Sequence, residues 1–193
     1  MQRIKDFKIE LASRKEIKSF IETWHYSKSI NGLKSNYCFK LINNENIIGA
    51  MIYGKIGMAN VWKKYVNKEN DLIELRRLCC IDDTPKNTES YFIGFTLRWL
   101  KKNTKYKLVI SYADSNYNHT GTIYRASNFK YSGMTNPGKV IIYNDKLYHD
   151  KTIRTKYKGK LKPFAQRIKT ALDLGLAKYS MTKGKHIYLY KLK

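Results

Sequence analysis

Apolar positions alternate with polar ones in several short segments of the chain and recur every three or four residues in others. Alternation is typical of strands, whereas a spacing of three or four is typical of helices. The strands predicted on this basis are 7–13, 37–43, 46–54, 71–82, 107–114, 129–133, a hairpin at 140–149, and 186–193. The predicted helices are 14–26, 90–102, 119–128 and part of 151–179.

The order of these elements predicts the fold class. Strands and helices follow one another in an α/β (mixed α+β) plan, which favours a central mixed sheet with helices on both faces. Segment 71–82 is apolar enough to be a central strand, and Asn87 or Thr88 can cap the helix that follows it. No repeat or linker interrupts the chain. We therefore predict a single domain over 1–193, with a basic, partly helical segment at about 151–180.

The charge balance points to a polyanionic partner. The chain has 38 Lys and Arg against 15 Asp and Glu, a net charge of +23. Such a field attracts nucleic acid, although a Lys-rich composition set by low-GC codon usage is an alternative. Basic residues interleaved with aromatic ones form two regions, and either DNA contact or a solvated basic face explains them. The predicted DNA-binding residues are Lys63, Lys64, Lys156, Lys158, Lys160 and Lys162.

Cysteine usage and hydropathy bear on the compartment. Cys38, Cys79 and Cys80 lack CxxC spacing and are expected to be buried thiols in a reducing compartment. The N-terminal segment has no apolar h-region, and no apolar run reaches membrane-spanning length. We expect a cytoplasmic protein with no membrane partner.

The arrangement of residues 71–133 resembles the acyl-CoA-binding half of the GCN5-related N-acetyltransferase fold. Tyr124 precedes Phe129 by the spacing of that family. The resemblance implies that pantetheine enters between splayed strands at 77–80 and 110–112, and that the pyrophosphate rests on helix-start amides at 87–90. Stretch 85–92 lacks the usual glycines, so an ordinary capped helix is the alternative there. The implied cofactor-binding residues are Leu78, Cys79, Lys86, Asn87, Thr88 and Ser90.

A second resemblance is more specific. The motifs WHYSK (24–28), ELRRL (74–78), PKNTES (85–90), YAD (112–114) and HTGTIYRASNF (119–129) occur in the order seen in the phage Mom DNA-modification family. That resemblance implies conversion of adenine in double-stranded DNA to N6-carbamoylmethyl-adenine, which protects phage DNA from host restriction. It also implies acetyl-CoA and iron as cofactors, and a phage protein acting inside the host bacterial cell.

The same resemblance implies a reactive centre. Its catalytic residues would be His25, Tyr26, Arg77, Asp114 and Tyr124, and all of these except Arg77 would be the metal ligands. A carboxylate directly after the apolar run ending at Ala113 could equally cap the next helix. His25 and Tyr26 could equally pack at the end of an amphipathic helix. Tyr124 can protonate a departing CoA thiolate.

Three further positions carry expectations. Strand alternation predicts that Arg76 and Arg77 point to opposite faces of the sheet. Gly121 fits a helix start that approaches either a cofactor or a strand closely.

Two other functions fit the sequence. One is an ordinary acetyl-CoA-dependent N-acetyltransferase acting on a nucleic-acid or protein amine. The other is a non-enzymatic DNA-binding protein of the same fold. A monomer and a homodimer are both compatible with the pattern.

Overall fold

The computed structural model describes residues 3–193, which form ten strands and four α-helices. The strands are β1 (Lys8–Ala12), β2 (Tyr37–Asn43), β3 (Asn46–Gly54), β4 (Leu72–Cys80), β5 (Leu108–Asp114), β6 (Lys130–Met134), β7 (Lys139–Tyr143), β8 (Lys146–His149), β9 (Lys178–Met181) and β10 (Lys185–Lys191). The helices are α1 (Arg14–Trp24), α2 (Thr88–Asn103), α3 (Thr122–Ala126) and α4 (Pro163–Asp173).

A seven-stranded mixed sheet has the order β1-β2-β3-β4-β5-β10-β6. The first four strands pair antiparallel, and β4 pairs parallel with β5. The central position predicted for 71–82 is therefore confirmed, because β4 is the fourth strand of the seven. The mixed α+β fold class is confirmed as well.

Helices cover both faces of this sheet, as the sequence predicted. On one face α2 buries Phe92, Ile93 and Leu97 in a cluster with Met51 and Tyr53 of β3. On the other face α1 buries Ile17 and Ile21 against Ala50 and Ile52. The two faces alternate along β3 because successive strand side chains point to opposite sides.

The start of α1 is fixed by its own sequence. Ser13 accepts a hydrogen bond from the Glu16 amide, and the Glu16 carboxylate accepts one from the Ser13 amide. This reciprocal pair satisfies two helix-start amides. The start of α2 differs from its prediction. Asn87 occupies the cap position without a side-chain cap bond, and the Thr88 hydroxyl donates to the Pro85 carbonyl at 2.6 Å.

The chain divides into two compact units. The first comprises residues up to Ala113, 120–133 and 186–193, and the second comprises 114–119 and 134–185. Neither unit is continuous in sequence, and the expectation of one domain over 1–193 stays a prediction.

The second unit is a three-stranded antiparallel sheet, β8-β7-β9, packed against α4. Ile141 meets Ile168 and Ala171 in its core. The hairpin predicted at 140–149 is confirmed, and its Asn144-Asp145 turn has φ of 48° and 57°, as a two-residue hairpin turn requires. The sequence missed β9, and the helix predicted within 151–179 is confined to α4.

No helix within residues 3–193 combines the length and apolar character needed to cross a membrane.

Candidate active site

The strands β4 and β5 pair over only part of their length. The register runs from Leu72 opposite Leu108 to Leu75 opposite Ser111, although β4 continues to Cys80 and β5 to Asp114. The splaying predicted for these strands is confirmed, with one correction. Positions 110 and 111 are still paired, so the split begins after Ser111 rather than before it.

A β-bulge in β4 lies next to this split. Tyr53 of β3 is opposite Leu75 and Ile52 is opposite Arg77, so Arg76 is an extra residue in the ladder. A bulge increases local twist and interrupts regular pairing. It accounts for the departure of β4 from β5 one residue after Leu75.

The bulge overturns the expectation that Arg76 and Arg77 point to opposite faces. Arg77 lies opposite Ile52, on the α1 side of the sheet, and its Nε donates to the Ser29 carbonyl at 3.3 Å. Arg76 Nε lies 3.4 Å from the Glu74 carboxylate, and Glu74 shares the α1 side because it pairs with Gly54. Regular alternation fails here because one residue is inserted between the two registers.

Tyr124 lies where the two strands part. Its hydroxyl hydrogen-bonds with the Ser111 side chain, and Ser111 Oγ donates to the Leu75 carbonyl at 3.2 Å. Leu75 and Ser111 form the last rung of the parallel pair. Burial raises the pKa of the Tyr124 phenol against the opposing effect of the Ser111 bond. The phenol is therefore protonated at neutral pH and able to donate a proton.

Gly121 holds α3 against β10. Its φ is +78°, and a Cβ at this position would lie 2.6 Å from Cζ of Tyr188 and 2.9 Å from its hydroxyl. That hydroxyl donates to the Thr120 carbonyl at 2.5 Å, and the Tyr188 ring also packs on Tyr124 with centroids 5.3 Å apart. Of the two expectations for Gly121, the close approach to a strand is the one found.

The implied cofactor residues lie on β4 and at the start of α2. Leu78 packs on the α2 side of the sheet, and Cys79 packs on the α1 side. Burial raises the pKa of Cys79 to about 12, which makes it an unreactive thiol. Of the three cysteines expected to be buried, Cys38 is buried, whereas Cys79 and Cys80 are half-buried. Lys86 and Asn87 are exposed at the α2 start, and the Ser90 hydroxyl donates to the Asn87 carbonyl at 3.0 Å.

The structure brings His25, Tyr26 and Arg77 together on the α1 side. His25 ends α1, is buried, and stacks on Tyr26 with ring centroids 4.2 Å apart. Burial lowers the pKa of Arg77, and the nearby Tyr26 phenol opposes this effect. The Ser27 amide donates to His25 Nδ1 at 3.1 Å, which places the ring proton of a neutral His25 on Nε2.

Asp114 belongs to the second unit. Its carboxylate pairs with the Lys185 ammonium at 2.7 Å and accepts from the Asn116 amide at 3.1 Å, so it caps the turn at 115–117. Burial raises its pKa, but the bonds from Lys185 and Asn116 prevail and lower it overall. Its role in the reactive centre stays a prediction.

The donors implied for iron are already engaged in this arrangement. The Asp114 carboxylate pairs with Lys185, the Tyr124 hydroxyl bonds Ser111, and His25 Nδ1 accepts from Ser27. Within residues 3–193, no group of three or more His, Cys, Asp or Glu side chains is placed to hold a metal ion. Iron therefore gains no support from the described residues.

The basic residues implied for DNA lie on two exposed surfaces, one in each unit. Lys63 and Lys64 lie in a turn of the first unit, 5.8 Å from the Trp62 ring and 5.5 Å from the Tyr65 ring respectively. In the second unit a tight turn at Tyr157–Lys160 presents Tyr157, which is 64% exposed. The four lysines of this turn region, all exposed, are Lys156, Lys158, Lys160 and Lys162.

Sequence reasoning missed three residues of this region: Glu74, Ser111 and Tyr112. Glu74 had a detectable signal, because it is an acid inside an apolar strand of a chain with few acids. Tyr112 lies in the YAD motif, whereas Ser111 had no signal, since its partners come from β4 and α3.

Comparisons with known proteins agree with this geometry. The model of the Mom protein family matches residues 6–193. The chain belongs to the Mom protein family. The methylcarbamoylase Mom of Escherichia phage Mu is 24% identical over 159 residues, which is 80% of this chain and 65% of that relative. The chain thus spans just under two thirds of the length of this curated relative.

Solved structures show the fold. A Bacillus subtilis acetyltransferase in complex with CoA has a TM-score of 0.55 and 12% identity, covering 97% of this chain and 99% of its own. An IAA acetyltransferase from Bacillus cereus has a TM-score of 0.56 and 9% identity, covering 96% and 99%. The ribosomal-protein-S5-alanine acetyltransferase of Vibrio fischeri has a TM-score of 0.54 and 9% identity, covering 97% and 94%. The predicted acetyltransferase-like fold is confirmed.

Proposed function

We propose that this chain is an acyl-CoA-dependent transferase that modifies adenine in double-stranded DNA to N6-carbamoylmethyl-adenine. The observation that carries the proposal is the family match over residues 6–193, together with the phage Mu methylcarbamoylase as a relative. In a phage, such a modification would protect the DNA from host restriction enzymes.

The split between β4 and β5 supports acyl-CoA as the cofactor. The similar acetyltransferase from Bacillus subtilis was solved with CoA. In this chain the strands part after Leu75 and Ser111, which leaves room for a pantetheine arm beside 77–80. The exposed start of α2, with Lys86 next to it, suits the pyrophosphate, because helix-start amides and a lysine both favour anions.

Tyr124 is the proposed proton donor to the CoA thiolate. A phenol is protonated at neutral pH, and burial raises the pKa of Tyr124 further above its ordinary value of 10.0. The Ser111 hydroxyl fixes its orientation at the last rung of the parallel pair. Acyl transfer alone would leave an amide on N6. The carbamoylmethyl product instead joins N6 to the methyl carbon, so it requires a two-electron oxidant for that C–N bond and a co-reactant that supplies the second nitrogen.

DNA contact is proposed for the two basic surfaces. Lysines bind phosphates, and adjacent aromatic rings can stack on an extruded base. Extrusion is favoured because N6 is a poor nucleophile whose chemistry needs a surrounding site.

Nucleoside analysis tests the function. Plasmid DNA from cells expressing the chain is hydrolysed to nucleosides and analysed by mass spectrometry. We expect carbamoylmethyl-adenine from wild type and at least a tenfold loss with Tyr124→Phe or Asp114→Asn. Tyr53→Phe is the matched control, since Tyr53 is another buried tyrosine, bonded to Thr96 at 2.8 Å. Acetylated adenine would indicate an ordinary N-acetyltransferase instead, and unmodified DNA would indicate a binding protein.

A further inference from the structure

The α1 side of the sheet at the β4 bulge carries a group of polar side chains that the proposed chemistry does not use. We call this group, Glu74, Arg76 and Tyr112, the bulge face. Glu74 pairs with Ile110 in the parallel ladder, so Tyr112, two residues further along β5, shares its side of the sheet. All three residues belong to the first unit.

Two buried polar atoms of the bulge face lack hydrogen bonds. Within residues 3–193, neither the Tyr112 hydroxyl nor Arg76 Nε has a hydrogen-bond partner. Arg76 Nε is within ion-pair distance of Glu74, at 3.4 Å, but without hydrogen-bond geometry. Buried polar groups are rarely left unsatisfied, since each costs about 1–3 kcal/mol. Such atoms point to a ligand that completes them.

The other polar atoms of this face are held in place. The Glu74 carboxylate accepts from the Gly57 amide at 2.9 Å, and Arg76 Nη1 donates to the Lys55 carbonyl at 2.9 Å. A carboxylate has about four acceptor positions, so Glu74 can accept a further bond. The face therefore carries a fixed acceptor on β4 and a buried donor on the same side of the neighbouring strand β5.

Aromatic and basic residues surround the same place. Trp62 and Tyr65 pack with Tyr112 in the cluster around Leu72, Ile110 and Ile187. Lys63 and Lys64 lie on that turn and are exposed. Aromatic rings for stacking, lysines for phosphates and a donor beside an acceptor are the elements of a nucleobase site.

We propose that the bulge face binds the extruded adenine, with the Tyr112 hydroxyl donating to a ring nitrogen and the Glu74 carboxylate accepting from the N6 amine. This inference rests on the proposed function and names the residues that select its base. Tyr112 would orient the base and Glu74 would select it, with Trp62 and Tyr65 beside the ring.

The chemistry of the bases explains the selection against guanine and thymine, whereas cytosine, with N3 next to its N4 amine, offers the same donor and acceptor as adenine and differs in its smaller ring. Adenine presents an acceptor next to its N6 donor on both edges, N1 on one and N7 on the other. Guanine places an O6 acceptor at the position of the amine, and thymine places O4 there, so both would set an oxygen against Glu74. Burial, and next the Glu74 charge, raise the pKa of the Tyr112 phenol, which therefore remains a donor at physiological pH.

The test measures binding to DNA with one unpaired base. Fluorescence anisotropy compares duplexes that carry a single unpaired adenine, guanine or thymine, or an abasic site. We expect wild type to prefer unpaired adenine over guanine or thymine about tenfold, Glu74→Gln to remove this preference, and Tyr112→Phe to weaken adenine binding about tenfold. Tyr106→Phe is the control, because Tyr106 packs on the opposite side of the sheet against Tyr37.

Base analogues make the test independent of the variant's folding. Wild type should lose affinity for either 1-deazaadenine or 7-deazaadenine, whichever lacks the nitrogen bound by Tyr112, and Tyr112→Phe should not distinguish that analogue from adenine. Equal binding of adenine, guanine and thymine by wild type, or an unchanged preference in folded Glu74→Gln, would overturn the inference. Modified adenine in plasmid DNA alongside either result would leave the proposed function standing. A preference for adenine without modified DNA would contradict the proposed function and leave this inference in place.

Discussion

Gly121→Ala should destabilise the protein through a clash with Tyr188. The backbone contribution is about 1–2 kcal/mol, because Gly121 has φ +78° and L-residues are strained in that region. The added Cβ would also lie 2.6 Å from Cζ of a Tyr188 ring that is 2% exposed and has no room to move. Overpacking of this kind costs about 1–3 kcal/mol. The expected total is about 3 kcal/mol.

Thermal unfolding measures this loss. For a chain of 193 residues, about 3 kcal/mol corresponds to a Tm lower by about 6–12 °C. Gly32→Ala is the control, since Gly32 has φ +73° and a Cβ there meets nothing within 4 Å in the part of the chain described. It should show the backbone contribution alone. In a Tyr188→Ala background, where the ring is absent, Gly121→Ala should lower the free energy of unfolding by the backbone contribution alone, about 1–2 kcal/mol. The reasoning is refuted if Gly121→Ala costs no more than Gly32→Ala.

Three further outcomes follow from the charges. Ser90→Glu should weaken CoA binding measured by calorimetry, because it places a carboxylate next to the CoA phosphates at the α2 start. An unchanged affinity would mean that the pyrophosphate binds elsewhere. A triple change to Ala at Lys156, Lys160 and Lys162 should flatten the slope of log K against log salt concentration for DNA binding by about 2.7. The control is the triple change to Ala at Lys101, Lys102 and Lys105, which should leave this slope unchanged. Equal slopes for the two triple variants would contradict the prediction. Asp114 has a lowered pKa, so the stability it contributes is present above its ordinary value of 3.8 and is lost as the pH falls through the depressed folded-state pKa. Acid unfolding of Asp114→Asn should accordingly show a smaller loss of stability on acidification than wild type, and parallel curves would exclude the carboxylate as the cause.

The elements of the large sheet could be predicted because each has a local signal. The hairpin of β2 and β3 alternates on either side of a short polar turn, and Asn44 and Glu45 adopt the positive φ values that such a turn uses. Helix α2 buries residues spaced three or four apart. The strand β9 was missed because KYSM has no alternating apolar pattern, and its pairing with β7 comes from a distant segment.

The candidate site was predictable only where the family motifs mark it. His25, Tyr26 and Arg77 lie together on the α1 side, and their catalytic role stays a prediction. The partners of Tyr124 could not be predicted from the sequence. The Ser111 hydroxyl meets Tyr124 because of how α3 packs beside the end of the parallel pair. Similarly, the pairing of Asp114 with Lys185 joins residues far apart in sequence.

The bulge, by contrast, can be detected in the sequence. Ile73 and Leu75 face α2, and the next residues on that side are Leu78 and Cys80. The intervals between successive apolar residues on this side are therefore two, three and two. A step of three within a period of two requires one extra residue, and the register places it at Arg76. The inserted residue keeps the apolar side chains on the α2 face while both arginines stay on the other side. One insertion thus accounts for two features of the site: the parting of β4 from β5, and the polar group on the α1 side next to it.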